Sequence, residues 1–66
     1  MTSLENYRNS DFFITLSRTN TKLRDEYSSL EELLLTEGLD ETDFVEYFHE
    51  HGYIYNPDVN SFQRED

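Results

Sequence analysis

Only two glycines and one proline interrupt these 66 residues, and each of the three, Gly38, Gly52 and Pro57, stands where an apolar period ends. Glycine takes up left-handed backbone at little cost, so Gly38 and Gly52 mark the ends of helices. Pro57, within Asn56-Pro57-Asp58, is turn chemistry. The chain is thereby fenced into helical stretches before residue 52 and a turn-bearing tail after it.

Within those fences the apolar spacing is helical. Ser10 or Asp11 is placed to cap a first helix from Phe12 to about Asp25. At about 100° per residue Phe12, Leu16, Thr19 and Leu23 share one face, with Phe13 and Asn20 on its shoulder, while Ile14, Arg18, Thr21 and Asp25 face water. Ser28 and Glu31 have the S-x-x-E spacing of a capping box, opening a second helix with the stripe Leu30, Leu33, Leu34. Asp40 caps a third, from Glu41 to about His51, whose inner face holds Phe44, Tyr47, Phe48 and His51. Asp43, Glu46, His49 and Glu50 lie on its other side.

After Gly52 the period becomes alternating. Tyr53 to Tyr55 predicts a short strand and Asn60 to Gln63 its antiparallel return, with Phe62 joining Tyr53 and Tyr55 on one face. The expected fold is mainly α: three helices with a C-terminal β-hairpin, winged helix-turn-helix-like in outline. Residues 11–66 form one small domain behind a flexible N-terminal arm, residues 1–10, which Leu4 and Tyr7 pin down. Its expected core is Phe12, Leu16, Leu23, Leu30, Leu33, Leu34, Phe44, Phe48, Tyr53 and Tyr55. A domain this short buries only about 60% of the surface its unfolded chain exposes. Cysteine is absent, so ten aromatic side chains must supply the packing.

The acids and bases are segregated. Residues 1–24 carry Arg8, Arg18, Lys22 and Arg24 against Glu5 and Asp11; residues 25–66 carry thirteen acids against Arg64. A body so charged repels phosphate and favours a protein partner with a basic surface. Asp43, Glu46 and Glu50 occupy the helix face that a helix-turn-helix inserts into the major groove, and no cation accompanies them. They are the candidate protein-binding residues, a carboxylate array that imitates phosphates, with Tyr47 or Tyr55 as an aromatic anchor at the edge. The alternative is nucleic-acid binding through Arg18, Lys22 and Arg24 of the first helix. Intramolecular pairing with the acids is the commoner fate of such bases.

Asn20 reads as a structural amide that fixes the turn or a helix crossing, and Asn60 as one that shapes the hairpin turn. His49 and His51 are two residues apart on a helix and point to different sides, so they do not share a metal ion. No phosphate loop and no nucleophile with its base is present. The chain is expected to be non-enzymatic, without cofactor or metal. No stretch reaches the length of a membrane span, which makes the cytoplasm the expected address, and exposed aromatic residues leave a homodimer open.

The run NTKLRDEYSSL from Asn20 to Leu30, preceded by Leu16-Ser17, and the tail GYIYNPDVNSF from Gly52 to Phe62 resemble a family of short bacterial proteins known as domain of unknown function number 4250. The resemblance covers roughly residues 4 to 63. It implies a compact bacterial domain and carries no activity with it. The chain departs from the family pattern at Phe12, where proline is expected, and in a third helix without lysine or arginine.

Overall fold

The helices begin and end where side chains and glycines satisfy the backbone groups that a helix leaves open. In the computed structural model, which describes Leu4 and residues 7–65, α1 spans Phe12–Asp25, α2 Leu30–Glu37 and α3 Glu41–Glu50. The Asp11 carboxylate accepts from the amides of Phe13 (2.8 Å) and Ile14 (3.4 Å) at the head of α1. Asp40 accepts from Asp43 N–H (3.0 Å) at the head of α3. Gly38 ends α2 at φ 73° and Gly52 follows α3 at φ 84°. Both are left-handed, as a glycine stop requires.

The cap of α2 lies one residue later than the expected Ser28–Glu31 box. Ser29 is the N-cap, accepting from Glu32 N–H at 3.2 Å, and the Glu32 carboxylate turns back to Ser28 N–H at 2.8 Å. The cause is upstream. Tyr27 N–H still bonds to Lys22 O at 3.0 Å and Tyr27 O is held by Asn60, which keeps the chain tied to α1 as far as Tyr27 and leaves Ser28 as the link before the cap.

Two strands complete the chain, β1 (Tyr53–Asn56) and β2 (Ser61–Arg64), paired antiparallel with Tyr55 opposite Phe62. The Asn56 side chain accepts from Asp58 N–H at 2.9 Å and shapes the turn around Pro57. The order is three helices followed by a two-stranded antiparallel hairpin, so the fold is mainly α with a C-terminal β-hairpin, as expected.

One aromatic core joins these pieces. Phe44 and Phe48 are fully buried, and the Phe48 ring stacks on Phe62 at 4.1 Å. Leu4 and Tyr7 belong to the same cluster. Tyr7 opens a single 3₁₀ turn, Tyr7–Asn9, and its ring meets Phe44 edge-on at 4.9 Å. The remainder of the expected 1–10 arm is described only from residue 7 onward. Core membership differs from expectation in a consistent way: Leu16, Tyr53 and Tyr55 are only partly buried, whereas Leu4, Tyr7, Tyr47 and Phe62 are buried. On α1 the buried face is Phe12, Thr15, Thr19 and Leu23, rotated toward Thr15 and away from Leu16. The Tyr7 turn covers that flank, and Thr15 Oγ1 donates to Tyr7 O at 3.5 Å.

Thr19 is fully buried and its hydroxyl has no hydrogen-bond partner among the described residues. An unsatisfied buried hydroxyl costs about 1–3 kcal/mol. Thr19→Val keeps the branched shape and deletes the polar atom, so it should raise the urea midpoint, by about 1 kcal/mol of stability. Thr19→Ala, which leaves a void, should lower it.

Candidate functional site

Three surfaces come together from the residues singled out by sequence. On α3, Asp43, Glu46 and Glu50 are all exposed on one side, and none forms an ion pair with a described residue. Phe44 and Phe48 hold the opposite side in the core, so the helix is oriented as its period requires. His49 extends the acidic face, its Nε2 lying 3.2 Å from Glu65 Oε1.

Tyr47 does not belong to that face. It is only 6% exposed, its ring meets those of Tyr7 and Phe12, and its hydroxyl donates to Tyr7 O at 3.4 Å. Burial pushes its phenol pKa up, partly offset by the nearby Arg8 charge. Position 47 is about one turn from Phe44 and next to Phe48, and the Tyr7 turn closes over it, so it cannot serve as a docking anchor. Tyr55 is likewise committed: its hydroxyl donates to Asn60 Oδ1 at 2.6 Å and accepts from Leu30 N–H at 3.3 Å.

The basic residues are largely spent inside the molecule. Lys22 Nζ lies 3.5 Å from Glu37 Oε2, joining α1 to the end of α2, with both side chains mostly buried (15% and 13% exposed). Arg24 forks onto Asp25 with bonds of 2.8 and 3.0 Å. Those hydrogen bonds hold the Asp25 carboxyl below its ordinary pKa and raise that of Arg24. Arg8 sits over the rings of Tyr7 and Tyr47, 5.6 and 5.3 Å from their centroids, and donates to the Asp43 carbonyl at 3.2 Å. Arg18 is exposed and, of these four, alone makes no hydrogen bond or ion pair to a described residue.

The third surface is built by two asparagines. Asn20 faces β2 and matches a strand's pattern with one side chain: Oδ1 accepts from Phe62 N–H at 2.8 Å and Nδ2 donates to Phe62 O at 3.2 Å. Asn60 adopts φ 52°, which asparagine tolerates better than most residues. Its Nδ2 donates to Leu23 O (2.9 Å) and Tyr27 O (3.0 Å), capping carbonyls at the end of α1. Together they fasten the hairpin to α1 and floor an open groove of about 700 Å³. Ser17, Thr21 and Arg24 line one wall, Val59 and Ser61 the other. The sequence marks both amides as structural, but Asn20 holds strand β2 where a turn or helix crossing was expected, Asn60 reaches past the hairpin turn to Leu23 and Tyr27, and the groove is not foreseen because its walls lie some forty positions apart.

Among the described residues, no three His, Asp or Glu side chains gather in a way that would hold a metal ion, and no helix is long and apolar enough to cross a membrane. His51, expected on the inner face, caps the end of α3 and is exposed, although one side of its ring stacks flat on Phe12 at 4.0 Å.

The residues that carried the resemblance thus meet in one place: Asn20 and Leu23 on α1, Tyr27 beyond it, and Tyr55, Asn60 and Phe62 on the hairpin. No curated protein and no solved structure matches the chain at a significant level. The family model described as domain of unknown function (DUF4250) matches residues 9–62, a span that includes both asparagines, and the chain belongs to that family.

Proposed function

We propose that the protein is a non-catalytic interaction module that docks a basic protein partner on the outward face of α3. The observation that supports this reading is the state of Asp43, Glu46 and Glu50: exposed, on one side of a rigidly seated helix, and with carboxylates in no ion pair with a described residue, since Arg8 bonds the Asp43 backbone carbonyl instead. Lys22 and Arg24 are paired elsewhere, and Arg8 is turned onto aromatic rings. An acidic face left unneutralised steers a cationic partner through long-range attraction and sets register by short-range pairing. The same face turns away a phosphate backbone, which is why DNA recognition through α3 is the weaker reading.

The test is a quantitative affinity capture that compares the protein with two variants of equal net charge. In the first, Asp43, Glu46 and Glu50 become their amides; in the second, Glu26, Glu31 and Asp58, all exposed and off α3, do. The α3 variant should lose at least about tenfold in affinity for the partner recovered, and the control should lose little. Equal loss in both would reduce the effect to bulk charge. No loss in either would remove α3 from the interaction.

A further inference from the structure

The groove between α1 and the hairpin differs chemically from the rest of the surface. Fifteen of the 66 residues are acidic, yet no carboxylate lines it. Its walls offer the Arg24 guanidinium and the hydroxyls of Ser17, Thr21 and Ser61. None of those three hydroxyls makes a hydrogen bond to a described residue. The floor is rigid, because the amides of Asn20 and Asn60 are tied to backbone on both sides. Three unengaged hydroxyls on a fixed frame, beside a guanidinium whose fork is now held by the exposed Asp25 carboxylate, are donors that an anion can use.

We infer that this groove binds a small phosphate monoester. Phosphate offers three terminal oxygens, enough for the guanidinium fork and for hydroxyls from both walls, whereas a carboxylate offers two. Val59, 54% exposed, gives the lining an apolar part for the organic remainder of the ester. Arg24 is now forked onto Asp25, but that pair is exposed and solvent-screened, so a dianion competes with a single carboxylate for the fork. Arg18 borders a second, smaller depression that shares Ser17 and Thr21 with the groove and brings a positive charge to its rim, whereas Lys22 beside it is held by Glu37. A polymer is a poorer fit than a single phosphate: Glu26 lines that neighbouring depression and Asp58 precedes Val59, so a phosphate chain leaving the groove meets carboxylates.

Amide chemical shifts of the intact protein, followed by NMR at low salt, test the assignment with inorganic phosphate, glycerophosphate and acetate as probes. Both phosphates should shift the signals of Ser17, Thr21, Arg24 and residues 59–61 along saturating curves, glycerophosphate more tightly, and acetate should not saturate. Arg24→Gln should weaken both phosphates about tenfold, the equivalent of one charge-assisted hydrogen bond. Thr21→Ala combined with Ser61→Ala should weaken them several-fold, and Arg64→Gln should leave them unchanged. These positions are solvent-facing or half-exposed, and signal dispersion reports directly whether each variant is folded. Unsaturable drift, an equal response to acetate, shifts centred outside the groove, or equal losses in Arg64→Gln and Arg24→Gln would each overturn the inference. Tighter binding of a single-stranded oligonucleotide, with Arg8 and Arg18 also perturbed, would overturn it in favour of a nucleic-acid surface.

Discussion

Asn60→Asp should cost about 3 kcal/mol, although it changes one atom group and leaves the side chain's shape intact. The substituted oxygen replaces the Nδ2 that donates to Leu23 O and Tyr27 O, so two donor–acceptor contacts become oxygen facing oxygen. The other oxygen still accepts from the Tyr55 hydroxyl, which isolates the loss to the donor side. Asn60→Gly separates the second role of this residue. Glycine accepts the left-handed backbone at φ 52° without strain but supplies no amide, so it should also destabilise, by the lost bonds alone. Urea denaturation of the three proteins ranks them, with Asn60→Asp at or below Asn60→Gly. A glycine variant as stable as the parent would show that backbone conformation, and not the amide, is what this position contributes.

Phe48→Ala should be larger still, about 3–5 kcal/mol. Phe48 is fully buried, stacked on Phe62 at 4.1 Å and in ring contact with Phe12, Phe44 and Tyr47. A 66-residue domain has on the order of 3–10 kcal/mol of total stability, so the variant should be largely unfolded by circular dichroism at room temperature. Phe13→Ala provides the contrast. That ring is 66% exposed, and its removal should change stability by no more than about 0.5 kcal/mol. Similar losses at the two positions would mean that the core is not organised around α3.

Much of this fold is legible because its punctuation is local. Asp11 and Asp40 act on amides two or three residues away, and Gly38 and Gly52 act on their own backbone, so each helix end is written beside the helix it ends. The Ser28–Glu31 box missed by one residue because Ser28-Ser29 and Glu31-Glu32 allow two registers. What chooses between them is the hold of Lys22 O and Asn60 on Tyr27, and Asn60 lies 33 residues away. Tyr47 shows a different limit. Its period placed it on the inner face of α3, but whether such a tyrosine is an edge or a centre depends on what lies over it, and that is the Tyr7 turn 40 residues upstream. The carboxylates of α3 are legible as a surface for the same reason as the caps, since helical spacing alone gathers them. The groove is not, because Ser17 and Thr21 meet Ser61 only after the hairpin has docked.

The side chain of Asn20 has an effect beyond joining two elements. By occupying both backbone groups of Phe62 that face away from β1, it removes the outward pairing groups in the middle of β2 from an incoming strand. A two-stranded ribbon bearing Tyr53, Ile54, Tyr55 and Phe62 has the makings of a template for intermolecular sheet growth, and a single amide takes the place where a neighbouring molecule would add.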